Sequence, residues 1–160
     1  MSLDGDSFRE IMGHFATGVA VVTTVTESGT DAGITVNSLA SVSLQPPLVL
    51  WSIGRDSAWF GQFSRCLRFV VHILAEDQQT LSDRFAQVGD NLFEGLELDR
   101  SPEGIALIRG CHGSLNCRSA AQYPGGDHVI LLGEVESMCT ARDTRPLIYH
   151  RGGYCGLAHG

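Results

Sequence analysis

Residues 33–43 read Gly-Ile-Thr-Val-Asn-Ser-Leu-Ala-Ser-Val-Ser, placing five hydroxyl or amide side chains (Thr35, Asn37, Ser38, Ser41 and Ser43) in nine positions with no charge among them. A solvent-facing strand edge ordinarily carries Lys or Glu as protection against stray pairing. Small neutral donors suit instead a surface where a flat polar ligand lies close to backbone N–H groups. An ordinary Ser- and Thr-rich strand and turn has the same composition, and the segment alone leaves both readings open.

Two shorter stretches could also meet a ligand. In Arg55-Asp56-Ser57 the serine can cap a following helix, helix N-termini receive phosphate, and Arg55 can add a forked contact to the same group. A capped helix beside a surface arginine explains the stretch equally well. Asp127-His128 follows a Gly-Gly turn and leads into an apolar run, where a histidine at a strand entrance can face a pocket mouth and donate to a carboxamide or ring edge. A surface histidine is the plain alternative. His72 reads as a residue in or beside a core strand, whereas His14, His112, His150 and His159 have no evident partner.

The elements that must position these residues are mostly strands. Phe8, Ile11, Met12 and Phe15 recur at helical spacing, with Ser7 and Glu10 at capping-box separation and Gly18 as the stop. Residues 19–25 form a β-branched run expected to be buried on both faces, and residues 27–31 a hairpin loop. Residues 34–42 return as one strand, and a third follows Pro46-Pro47 over residues 48–53. A short amphipathic helix is expected over 57–66 with Phe60 and Phe63 inward, then a strand over 69–74. A second amphipathic helix is expected over 77–88, capped by Asp77, with Leu81, Phe85 and Val88 on one side. Residues 89–104 read as loop, 112–122 and 128–138 as strands joined at Pro124-Gly125-Gly126-Asp127, and 147–150 and 154–157 as closing strands. Six or seven mostly antiparallel strands with about three helices point to one mainly β domain, and a barrel is the usual way to avoid open edges.

Composition narrows the function classes. The 160 residues carry 43% hydrophobic and 18% charged side chains, a globular balance with one core. The net charge of −7 gives no cation excess to displace phosphate counterions, so nucleic acid is not the expected partner. No run approaches the ~20 apolar residues of a membrane helix, and Met1-Ser2-Leu3-Asp4-Gly5-Asp6 lacks a signal peptide's basic end and apolar run, leaving the cytoplasm as default. Five cysteines without a Cys-x-x-Cys pair predict buried free thiols, and the spacing of Cys111, His112 and Cys117 fits no zinc pattern, so no metal is expected. Gly-x-Gly-x-x-Gly after a strand, Walker, Gly-x-Ser-x-Gly and His-Glu-x-x-His patterns are absent.

Four blocks in order resemble the short-chain flavin reductases, the reductase partners of two-component flavin monooxygenases. They are Phe8-Arg9 through Phe15-Ala16-Thr17-Gly18-Val19-Ala20-Val21-Val22-Thr23; residues 33–44 running on to Pro46-Pro47-Leu48-Val49-Leu50; Gly126-Asp127-His128 through Gly133-Glu134-Val135; and Tyr149-His150-Arg151-Gly152-Gly153-Tyr154. The resemblance implies an antiparallel Greek-key split barrel (the FMN-binding split barrel) working as a homodimer, with flavin near the subunit interface. It further implies that Thr35, Val36, Asn37, Ser38, Ser41 and Val42 line the isoalloxazine and ribityl chain. Trp51, Ser52, Ile53 and Ser57 then complete the flavin and phosphate contacts, with His128 near the nicotinamide and Tyr154 beside it. The family often carries a basic residue where this chain has Gly153, and Trp51 is bulkier than in many relatives.

The activity so implied is hydride transfer from NADH or NADPH to FMN or FAD, supplying reduced flavin to a monooxygenase. The cofactors carry the electronics of that step, so the lack of a Ser/His/Asp or paired-carboxylate constellation is no objection, and His128 is expected to position the nicotinamide. A flavin-binding or electron-carrier protein on the same barrel would present the same binding residues, and a pyridoxamine-phosphate oxidase-type barrel is a further alternative that the second block disfavours.

Overall fold

The structure, a computed structural model, describes residues 3–141 and 143–158; Met1, Ser2, Arg142, His159 and Gly160 lie outside them. Twelve strands are present among the described residues. Seven of them, β2 (Ala20–Val25), β3 (Asp31–Val36), β4 (Ala40–Leu44), β5 (Pro47–Gly54), β6 (Arg68–Ile73), β9 (Gly113–Gly125) and β10 (His128–Thr140), form one antiparallel sheet in the order β3-β2-β6-β9-β10-β5-β4. The short strands β1 (Thr17–Gly18), β11 (Ile148–His150) and β12 (Gly153–Cys155) make a three-stranded sheet, and β7 (Leu98–Arg100) pairs with β8 (Ala106–Ile108). Three helices, α1 (Gly5–Gly13), α2 (Phe60–Arg65) and α3 (Gln79–Phe85), flank the strands.

The sheet must curl. Its edge strands β3 and β4 are joined by residues 37–39 alone, and the step from Val36 to Ala40 spans at most about 14 Å. Laid flat, six strand spacings would hold those edges about 29 Å apart. The two edges therefore meet at residues 37–39, and the sheet becomes a barrel split along that seam. The sequence predicts one unbroken strand over 34–42; the structure breaks it, because its first half pairs with β2 and its second with β5.

Alternation fills the curl. Ala20 and Val22 of β2, Val49, Trp51 and Ile53 of β5, and Val129 and Leu131 of β10 point into one core with Phe63, Phe69, Val71 and Cys117. Val19 and Val21 point the other way, into a second cluster with Leu74, Leu81, Phe85, Leu92, Ile108 and Leu147. Hence the run over 19–25 is buried on both faces, as its lack of alternation predicts. His72 is fully buried between the layers: its Nδ1 donates to Val21 O at 3.1 Å and its Nε2 accepts from Ile108 N at 3.1 Å. Burial drives its pKa down to about 4, so it packs as the neutral ring.

Several expectations fail for local reasons. Helix α1 is capped by Asp4, whose carboxylate accepts from Asp6 N and Ser7 N at 3.1 and 2.9 Å, and the expected Ser7–Glu10 box does not form. Helix α3 begins after Gln78, not at Asp77, and ends at Phe85, which leaves Val88 75% exposed. The stretch expected as loop carries β7. Cys139 and Cys155 are exposed, against the expectation of buried thiols; Cys117 is buried and Cys66 and Cys111 are half-buried.

Candidate functional site

At the seam, β5 outruns its partner. The last β4 pairing is Ala40 with Leu50, so the Ser52 N–H on that side would have no ladder acceptor. Ser38 supplies one: its Oγ accepts from Ser52 N at 2.9 Å and lies 3.4 Å from Ser52 O. Thr35 in turn donates its hydroxyl to Ser82 O at 2.6 Å, fastening β3 to α3. Both hydroxyls keep acceptor lone pairs for a ligand. One step along β4, the pairing passes from Ser41–Val49 to Ser43–Leu48, making Val42 the extra residue of a β-bulge, 48% exposed.

Two cavities flank the seam and share Asn37 and Tyr149. The larger, about 640 Å³, lies between Met12 and Phe15 near the end of α1, Thr17, and residues 37–40. The smaller, about 240 Å³, is lined by Thr35, Val36, Asn37, Ser82 and Tyr154. The Tyr154 hydroxyl shares a hydrogen bond with Ser82 Oγ at 2.8 Å and donates to Asp83 Oδ1 at 3.0 Å, and its ring meets Tyr149 edge-on at 5.4 Å. Burial, with the Asp83 carboxylate adding to it, raises the Tyr154 pKa, so the phenol stays a neutral donor.

A second group lies two residues further along β5. His128 pairs across the ladder with Gly54, and a Cβ at Gly54 would stand 2.7 Å from Asp56 Oδ1 and 3.7 Å from His128 Nε2. His128 Nδ1 meets Asp127 Oδ1 at 2.7 Å, an interaction that holds the Asp127 carboxyl below its usual range. Arg55 donates from its backbone to Asp127 O at 2.9 Å and from Nε to Gly126 O at 3.1 Å, so part of its donor set fixes the β9–β10 hairpin tip. Ser57 Oγ accepts from Trp59 N at 3.3 Å in the turn before α2, which starts only at Phe60.

The structure thus gathers Thr35, Val36, Asn37, Ser38, Ser52 and Tyr154 at the seam, and Arg55, Ser57 and His128 at the adjoining end of β5. Trp51 and Ile53 are 0% and 1% exposed, and their side chains belong to the core; Trp51 stands edge-on to Phe63 and Phe69. Tyr154 lines the smaller cavity, while His128 lines neither of the two. Thr17, Tyr149, Ser82 and the α1 face were missed. An apolar stripe on a helix signals a core, yet α1 buries no residue, and Phe8, Ile11, Met12 and Phe15 are 49–70% exposed.

A flavin fits this site on three counts. About 640 Å³ lies within the ~300–1,000 Å³ of small-molecule pockets. The walls combine apolar side chains with neutral donors and acceptors and one cation, Arg9. Thr17 lines the cavity, and its Oγ1 is buried with no hydrogen-bond partner in the single chain.

Residues 12–158 match the flavin reductase like domain. The chain is 44% identical over 148 residues to an FMN reductase (NADH), SmoA of Agrobacterium fabrum, covering 92% of this chain and 83% of that protein. It is 35% identical over 156 residues to HsaB of Rhodococcus jostii, a reductase subunit of a flavin-dependent monooxygenase, covering 98% and 80%. Among solved structures, SgcE6 of Streptomyces globisporus, an NADH:FAD oxidoreductase in complex with NAD and FAD fragments, superposes with a TM-score of 0.92 at 33% identity, covering 97% of this chain and 93% of that one.

Proposed function

This chain belongs to the family of flavin reductase like domains, and we propose that its seam cavity is where it performs the family's reaction. It is an NAD(P)H:flavin oxidoreductase that moves a hydride from reduced nicotinamide to FMN or FAD. The observation that carries the placement is a cavity of about 640 Å³ walled by the uncharged segment at 37–40, by Met12 and Phe15, and by Thr17, whose buried hydroxyl has no hydrogen-bond partner.

A bound flavin supplies the hydride acceptor. The protein's part is to hold and orient. Asn37, Ser38 and Thr17 offer neutral hydrogen bonds to a polar ring edge and the ribityl chain, with Thr35, Ser41 and the backbone around Val36, Val42 and Ser52 continuing that surface. Leu39, Met12 and Phe15 cover the ring and keep water from it. His128, steadied by Asp127, positions the nicotinamide carboxamide, and Tyr154 holds the floor of the adjoining cavity. Such positioning needs no side chain to exchange a proton with the substrate.

The reading extends to a homodimer acting as one domain over residues 1–160, cytoplasmic, with a monooxygenase as recipient of the reduced flavin. The stripe of Phe8, Ile11, Met12 and Phe15, unburied in the single chain, supports the dimer, and five unpaired thiols fit a reducing compartment. No helix among the described residues is long and apolar enough to cross a membrane.

The test mixes purified protein with NADH or NADPH and FMN, FAD or riboflavin, and follows loss of nicotinamide absorbance. Flavin-dependent oxidation is expected. Binding of flavin without oxidation would leave only a flavin carrier, and Thr17→Val should weaken flavin binding if the cavity is the site.

A further inference from the structure

The turn between β11 and β12 breaks the rule for its own geometry. Register pairs His150 with Gly153, leaving Arg151 and Gly152 as the two central residues, with φ of 50° and 77°. A hairpin turn with both φ positive prefers Asn, Asp or Gly at its first position, and Arg151 is the one non-glycine with positive φ among the described residues. Its backbone N–H donates to Gly13 O at 2.8 Å, docking the turn on the end of α1. A long cationic side chain held in such backbone calls for a use of that side chain.

Its partner is not a carboxylate. Arg9, Arg68, Arg100, Arg109, Arg118 and Arg145 each stand in an ion pair with a carboxylate, whereas Arg55 and Arg84 donate to backbone carbonyls and, like Arg65 and Arg151, have no ion pair among the described residues. Among the described residues no carboxylate pairs with Arg151; its Nη2 lies 3.0 Å from His14 Nδ1. The guanidinium borders a cavity of about 540 Å³, with Arg9 and His14 beside it and Glu10 as the one acidic lining residue. Arg9, Gly13 and Gly152 line both this cavity and the larger seam cavity, so the two adjoin. In a chain of net charge −7, a guanidinium with no ion-pair partner, beside a second arginine at the mouth of the seam cavity, is placed for an anion attached to a ring bound there.

We propose that Arg151, with Arg9 and His14 beside it, holds a phosphate group of the nucleotide whose ring occupies the seam cavity. The inference rests on the flavin-site reading above. Two sources carry this chemistry, the flavin's own phosphate and the pyrophosphate of the nicotinamide dinucleotide.

Arg151→Gly tests it without risk to the fold, since glycine is the residue the turn prefers, and thermal unfolding should show a midpoint at or above the parent's. Riboflavin and FMN are titrated by fluorescence, and NAD⁺ and inorganic pyrophosphate by calorimetry, against parent and variant. Riboflavin should bind both proteins within about twofold, while FMN, if the flavin is the source, or NAD⁺, if the hydride donor is, binds the variant at least about tenfold more weakly. Arg151→Lys should recover part of the loss, keeping the charge and losing the fork. Unchanged affinity for both FMN and NAD⁺, or an equal loss for riboflavin, overturns the proposal. If the parent binds no flavin, the seam-cavity reading fails by itself; pyrophosphate binding that survives Arg151→Gly then overturns the anion site, and pyrophosphate binding lost in the variant supports it.

Discussion

Ser38 closes the seam of the sheet onto Ser52, accepting its N–H at 2.9 Å where β4 no longer reaches. The contact joins fold to function, because the hydroxyl that secures the backbone of β5 also faces the cavity proposed for the flavin. Ser38→Ala should cost about 1–2 kcal/mol by leaving a half-buried N–H unsatisfied. Denaturant unfolding and flavin titration on the same variant check both roles. A loss of stability with unchanged flavin affinity would restrict Ser38 to architecture.

His128 is held through Nδ1 by Asp127, leaving Nε2 for a ligand. His128→Ala should raise the NADH KM roughly two- to tenfold, the worth of one hydrogen bond of about 0.5–1.5 kcal/mol, while flavin affinity holds. Steady-state kinetics with each substrate varied separate the two. If neither KM nor turnover moved, the positioning role would be gone.

His72 makes stability depend on acid. Its folded pKa is depressed to about 4, so between the unfolded value near 6.5 and 4 the unfolded chain binds a proton that the native state refuses. Stability is thus complete above pH 6.5 and falls as pH drops toward 4, by at most about 3 kcal/mol from this group. Urea midpoints measured across that window should decline more steeply for the parent than for His72→Gln, which cannot titrate.

Gly33 lies under α3. A Cβ there would stand 2.6 Å from Phe85 Cε1 and 3.0 Å from Phe93 Cζ, two rings packed edge-on at 4.9 Å. Gly33→Ala should destabilise by about 1–3 kcal/mol through overpacking. Since Phe85 anchors the helix carrying Ser82, flavin and NADH binding should weaken together. A thermal midpoint equal to the parent's would show that both rings can yield.

By itself the sequence determined the strand-rich architecture, the doubly buried strand at 19–25, the β9–β10 hairpin and the blocks that carry the family resemblance, because period and turn chemistry are local properties. It singled out Thr35, Asn37 and Ser38 by composition but drew one strand through them. Only the tertiary structure decided the break at 37–39, since each half takes its register from a strand remote in sequence and the curl of seven strands brings those edges together. The same holds for Trp51, withdrawn into the core by Phe63 and Phe69, and for the α1 stripe, which periodicity marks as apolar without saying what covers it. Arg151 is the sharpest case: its type is plain in the sequence, and its positive φ and lack of a carboxylate partner exist only once the turn docks on Gly13.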